Sequence, residues 1–145
     1  MSFNSTKTGL ERFVEAQDRV YDTVCDELAL GAKTSHWMWF IFPQLKELGR
    51  SPIAKFYGID SREEARAYWE HPVLGKRLLE CTKLVLALRN KTANEILGFP
   101  DDLKFQSCMT LFSQVAPEEE AFKRALDCYF GGMPDKGTLK LLELT

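Results

Sequence analysis

The chain has 145 residues, a formal net charge of −2, 45% hydrophobic residues and 28% charged residues. That is the size of one domain with a sizeable core, and the composition excludes intrinsic disorder. A pI near 5.7 removes any global electrostatic case for nucleic acid, no apolar run reaches transmembrane length, and the start MSFNSTKTGLERF lacks the apolar stretch of a secretory signal.

The first periodic segment runs through Leu10, Phe13, Val14, Val20, Tyr21, Val24, Cys25 and Leu28. Spacings of three and four predict a helix with one apolar face. Thr8 suits its N-cap and Gly31 its C-cap. Residues 1–7 are expected to form a flexible terminus. Next, Trp37 to Phe42 is an unbroken apolar and aromatic run closed by Pro43. Periodicity does not separate a buried strand from a buried helical turn here. No second strand-like segment exists to pair with it, so a short buried helix capped by Ser35 is expected.

Gln44 to Leu48 reads as a short turn stopped by Gly49. Ser51-Pro52 starts a helix through Tyr57, ended by Gly58. Ser61 and Glu64 form a capping box ahead of Ala65, Ala67, Tyr68 and Trp69. His71 before Pro72 breaks that helix, and Pro72 is expected to start a long one carrying Leu74, Leu78, Cys81, Val85 and Leu88. Thr92 and Glu95 repeat the capping box and open a single turn to Gly98. Asp101 is expected to cap a helix bearing Cys108, Leu111, Phe112 and Val115. Pro117 opens another helix with Glu118 to Glu120 at its N-terminus, Phe122, Leu126, Tyr129 and Phe130 inside, and Gly131-Gly132 at its end. A last short helix holds Leu139, Leu141 and Leu142. The expectation is one all-α domain of short and medium helices over residues 1–145.

Cys25, Cys81, Cys108 and Cys128 form no C-x-x-C pair, and neither His36 nor His71 stands at ligand spacing from a cysteine. Each lies on an apolar stripe, so four reduced core thiols, no metal and a cytoplasmic location are expected.

The chemistry-bearing segment is Lys33 to Tyr57. It sets Lys33, Lys46, Arg50 and Lys55 against one acid, Glu47, and interleaves Trp37, Trp39, Phe40, Phe42, Phe56 and Tyr57. Cations among aromatics suit an anionic ligand that carries a ring. Ser51 adds the amides of a helix start beside Arg50. His36 suits a general base or a hydrogen-bond donor, with Ser35 beside it. Lys104, Ser107 and Thr110 share one side of their helix and suit a polar cleft. The structural alternative is that the aromatics are core and the cations a solvated rim. The sharp expectation is that His36, Arg50, Ser51 and Lys55 converge on one pocket walled by Trp37 or Trp39, with Ser35, Tyr57 and Lys104 also binding ligand.

Several segments carry a resemblance: SHWMWFIFPQ from Ser35 to Gln44, Leu48-Gly49-Arg50-Ser51, Tyr57-Gly58-Ile59, His71-Pro72-Val73-Leu74-Gly75, Pro100-Asp101-Asp102-Leu103-Lys104, and Phe130-Gly131-Gly132 with Asp135. With these the chain resembles the bacterial DUF1810 family, over nearly its whole length. The resemblance implies a small, mostly helical protein with no assigned activity. Gly49-Arg50-Ser51 and the segment from His71 to Cys81 also resemble the helical ADP-ribose-processing domains called NADAR. Two functions are therefore weighed. One is a site that binds or hydrolyses a nucleotide or ADP-ribose-like phosphorylated ligand, with no separate cofactor. The other is a protein–protein adaptor that exposes the Trp-rich segment.

Overall fold

An arginine and a glutamine on the first helix set the frame. Helix α1 (Glu11–Leu30) carries Phe13, Val24 and Leu28 inward, and all three are fully buried. Arg12 is buried with them. Its guanidinium donates to the Phe56 and Gly58 carbonyls at 2.8 Å each, to the Gly9 carbonyl, and to Glu64 at 3.3 Å. A planar donor set of this kind satisfies several loop carbonyls at once, which lysine does not. Gln17, also buried, donates to the Phe40 carbonyl at 2.7 Å and the Tyr68 hydroxyl at 3.0 Å.

The computed structural model describes residues 9–143, so the Thr8 cap and the flexible terminus expected over residues 1–7 lie outside the described residues. After α1 come α2 (Met38–Ile41), a 3-10 turn (Lys46–Leu48), α3 (Pro52–Phe56), α4 (Arg62–Glu70), α5 (Leu74–Leu86), α6 (Ala93–Leu97), α7 (Asp101–Val115), α8 (Ala121–Phe130) and α9 (Lys136–Glu143). The fold is all-α. No strand occurs among the described residues; one parallel bridge pairs Leu45 with Ile59. There the Lys46 amide reaches the Ile59 carbonyl at 2.8 Å and the Ile59 amide the Gln44 carbonyl at 2.9 Å. Gly58 makes that approach feasible, since a Cβ on it would lie 2.3 Å from the Lys46 Cα.

Helix α7 is the central element. Phe105, Cys108, Met109, Thr110, Leu111 and Phe112 have no exposure, so it is apolar on most sides, as a core helix must be. It packs against α4, α6, α8 and α9, while α5 packs on α1, α4 and α8. Edge-to-face aromatic pairs join these elements: Phe13 with Tyr68 at 5.0 Å, Phe42 with Phe105 at 4.9 Å, and Trp69 with Phe122 at 5.3 Å.

Gly31 closes α1 in the left-handed conformation, Ser51 and Ser61 cap α3 and α4, and Thr92 with Glu95 forms a full capping box on α6. Five local expectations are corrected. Ser35 does not cap α2; its hydroxyl is spent on Glu27. Glu64 completes no box with Ser61, because its carboxylate takes the Asp60 amide at 2.7 Å. Helix α5 starts at Leu74, not Pro72, since the His71 Nδ1 accepts the Val73 and Leu74 amides at 3.1 and 3.3 Å. Asp101 is the first residue of α7 rather than its cap, and its carboxylate turns to two lysines. Residues 117–120 are a turn ahead of α8, and there Glu118 pairs with Arg66 at 2.8 Å and accepts from the Trp69 indole at 3.2 Å.

The thiols divide. Cys81 and Cys108 are buried, Cys25 is half-buried and Cys128 is exposed, which corrects the expectation of four core thiols. Cys128 sits on α8 beside Asp127, off the stripe that Phe122, Ala125 and Leu126 bury. Burial pushes the Cys81 thiol up to about 12 and the Cys108 thiol well above its ordinary range. The thiolate is the reactive form. A maleimide reagent at pH 7 should therefore label Cys128 first, with Cys81 and Cys108 labelled only on unfolding. Mass mapping of a time course checks this, and early label at Cys108 would contradict the packing of α7.

Candidate functional site

The segment from Lys33 to Trp37 is held by one carboxylate. Glu27 lies on the buried side of α1, one turn before its end. It accepts the Thr34 amide at 2.9 Å, the Ser35 amide at 3.0 Å, the Ser35 hydroxyl, and the Trp37 indole N–H at 2.9 Å. Burial alone would raise its pKa. The donors from Ser35, Thr34 and Trp37 outweigh burial and bring the carboxyl down to about 2. Glu27 is thus a fixed anion that shapes the loop.

Lys33 crosses that loop inward. Its ammonium donates to the Ser35 carbonyl at 2.7 Å, lies 2.8 Å from Asp101 Oδ2, and sits 5.0 Å from the Trp37 ring centre. One turn along α7, Lys104 stands 3.7 Å from Asp101 Oδ1 and 5.8 Å from the Trp39 ring centre. The result is a row, Lys33–Asp101–Lys104, at the start of α7.

Two depressions flank this row. The smaller, 320 Å³, is lined by Ser35, His36, Trp39, Phe99, Pro100 and Asp101, among others. The larger, 480 Å³, is lined by Gln44, Arg50, Ser51, Leu103, Lys104 and Asp135, with others. Pro100 lines both. A narrow crevice at Trp39, Gln44, Tyr57 and Lys104 runs beside them. The wall formed by α9 is fixed by Asp135, whose Oδ2 accepts the Thr138 amide at 2.9 Å and the Thr138 hydroxyl at 2.6 Å.

The residues singled out in the sequence separate into distinct places. His36 and Trp39 border the smaller depression, and His36 is exposed without a hydrogen bond among the described residues. Arg50, Ser51 and Lys104 border the larger one. Arg50 is exposed and makes no ion pair among the described residues. Ser35 shares the smaller wall, with its hydroxyl committed to Glu27. Trp37 is 1% exposed and belongs to the core, so it offers no face to a ligand. Tyr57 is also buried, 5.2 Å from Phe40 and 4.9 Å from Phe56, and burial raises its pKa. Lys55 lines a separate hollow with Arg12, Lys46 and Asp60. Hence His36, Arg50, Ser51 and Lys55 do not meet in one pocket. The Ser51 hydroxyl takes the Ala54 amide at 3.2 Å, and a five-residue α3 carries little dipole, so the cationic groups on the larger depression are the side chains of Arg50 and Lys104. The side of α7 read as polar is half so: Lys104 and Ser107 face the larger depression, while Thr110 is buried, donating to the Gln106 carbonyl and accepting the Asp135 amide.

Sequence reasoning assigned no site role to Glu27, Gln44, Phe99 or Asp135. Glu27 had a readable signal: it stands three residues after Val24 on the apolar stripe, where a carboxylate needs buried donors. A further hollow of 490 Å³ at Pro117, Glu119, Lys123 and Asp127 mixes both charges and has no aromatic wall. No group of three or more metal-ligating side chains occurs among the described residues, and no helix there is long and apolar enough to cross a membrane.

Comparison with known proteins adds the relatives. A family model described as a protein of unknown function, DUF1810, matches residues 7–142. Among solved structures, the crystal structure of the conserved hypothetical protein Rv1873 from Mycobacterium tuberculosis is similar at 51% identity and a TM-score of 0.92, over 94% of this chain and 97% of that one. No curated protein matches the chain.

Proposed function

The chain belongs to the DUF1810 family, and from that premise we propose that its paired depressions bind a small phosphorylated ligand carrying a ring, of nucleotide or ADP-ribose-like class. One observation carries the reading: Lys104 stands over Trp39 between the two depressions, and Arg50, with no ion pair among the described residues, lines the larger. Guanidinium and ammonium groups suit phosphate oxygens, and a half-buried indole suits a ring. At 320 and 480 Å³ the spaces are of ligand size. In this reading His36 supplies a hydrogen-bond donor or a proton-transfer group at the rim.

The test is a thermal-shift and calorimetry series with AMP, ADP and ADP-ribose on the wild type, Arg50→Ala and Lys104→Ala. Each substitution should weaken binding by about tenfold, the loss of one charge-assisted contact. Arg50→Ala should leave the melting temperature of the free protein nearly unchanged, because Arg50 is exposed and makes no ion pair among the described residues. Equal binding by wild type and both variants would remove the cleft from consideration.

A docking role has one observation in its favour. Phe99 and Leu103 are 76% and 49% exposed beside the depressions. The Trp-rich segment itself is internal, with Trp37 buried and Trp39 half-buried. Any docking face is therefore the start of α7 and not the tryptophans. Association with a partner that is abolished in Phe99→Ser and retained in Arg50→Ala and Lys104→Ala would favour it.

A further inference from the structure

We infer that the larger depression takes the phosphorylated ribose unit of that ligand, with Arg50 and Lys104 on the phosphate and Asp135 and Gln44 on vicinal sugar hydroxyls. This deepens the ligand reading above and rests on it.

The argument starts from what the depression offers besides cations. Asp135 is immobilised on three sides: its amide donates to the Thr110 hydroxyl at 2.8 Å, and its Oδ2 receives both Thr138 donors. Its Oδ1 accepts no hydrogen bond among the described residues, and the residue lines the depression. Gln44 is fixed through its backbone, whose carbonyl accepts the Ile59 amide at 2.9 Å. Its carboxamide has no partner among the described residues, and the residue lines both the crevice and the depression. A phosphate alone does not use this pair. A carboxylate repels it, and it takes only the N–H of the carboxamide and leaves the amide oxygen idle.

The chemistry of the two groups selects the donor. Both Thr138 donors go to Oδ2, so Oδ1 is the acceptor of Asp135 left open to the depression. A carboxylate accepts only, whereas a carboxamide both donates and accepts. Two neighbouring hydroxyls, each donor and acceptor, satisfy this pair together. An alkyl phosphate offers neither hydroxyl, and a 2-deoxy sugar lacks one of the two.

The experiment is calorimetric titration with ribose 5-phosphate and 2-deoxyribose 5-phosphate, and in parallel with AMP and dAMP. Wild-type protein should prefer each ribo compound by about tenfold, the worth of one hydrogen bond to a charged or amide group. Gln44→Ala, which leaves the α9 cap untouched, should bring ribo binding down to the deoxy level. Asp135→Asn retains a capping side chain and should narrow the preference; circular dichroism establishes that it folds. Equal affinity for ribo and deoxy compounds in the wild type, with both lost in Arg50→Ala, would overturn this inference and leave the phosphate reading standing. No binding of AMP, dAMP or either sugar phosphate would overturn both.

Discussion

Replacing Glu27 with alanine is expected to lower stability by about 3 kcal/mol, because a buried donor left unpaired costs about 1–3 kcal/mol and several lose their acceptor together. The Trp37 indole N–H is the costliest of them, since Trp37 is 1% exposed. Urea unfolding followed by tryptophan fluorescence measures the loss. Acid provides a second measurement. The Glu27 carboxyl titrates at about 2 in the folded chain against an ordinary 4.5. Between those values the unfolded chain binds more protons, so the stabilisation is complete above about pH 4.5 and is lost as pH falls towards 2. Each tenfold difference in proton affinity between the folded and unfolded chain is worth about 1.4 kcal/mol. Discounted for solvent at the edge of the loop, the stabilisation amounts to about 2 kcal/mol. The wild type should lose this increment on acidification, and Glu27→Gln should not. Parallel acid profiles for the two proteins would mean that Glu27 does not organise the loop from Thr34 to Trp37.

That carboxylate marks where the sequence ceases to be legible. Elements with local causes were readable: the α1 stripe ended by Gly31, the Ser51-Pro52 start of α3, and the Thr92–Glu95 box. In each, the residues that decide the outcome lie within a few positions of one another. Three of the misreadings share the opposite property, while the Glu64 box and the α5 start were lost to neighbours a few residues away, Asp60 and His71. Ser35 looked like a cap because its competitor, Glu27, is eight residues upstream. Asp101 looked like a cap because Lys33, its ion-pair partner, lies far upstream, in the loop that follows α1. Glu118 looked like a helix start because Arg66 and Trp69 are far away in the chain. The site followed the same rule. That Arg50 and Lys104 border one depression depends on how the 3-10 turn, α3 and α7 are packed, and no spacing encodes that. Composition showed the aromatic and basic character of Lys33 to Tyr57, but did not separate Trp37, which the core takes, from Trp39, which stays half-exposed.

The α4–α5 junction is governed by the same long-range logic and yields the other large effect. A Cβ at Gly75 would lie 2.0 Å from the Trp69 carbonyl oxygen and 2.9 Å from its carbonyl carbon, both backbone atoms. Trp69 has little room to retreat. Its ring packs edge-on against Phe122 at 5.3 Å, and its indole N–H donates to Glu118. The far side of the junction is fixed as well, since His71 caps the start of α5 and its carbonyl takes the Gly75 amide at 3.1 Å. Gly75→Ala is therefore expected to destabilise by about 3 kcal/mol, the upper range for overpacking a fixed site. Helix propensity alone argues the reverse sign, a gain of up to about 1 kcal/mol. Gly137→Ala is the control. It lies in the first turn of α9, where a Cβ would meet Leu48 at 3.4 Å and Asp135 at 3.5 Å, which are ordinary contacts. That variant should be neutral or slightly stabilised while Gly75→Ala loses about 3 kcal/mol, a large fraction of a typical stability margin of about 5–15 kcal/mol. Urea midpoints for the pair decide between the two effects. If both variants gain stability, propensity outweighs the contact, and α5 then moves away from Trp69 at little cost.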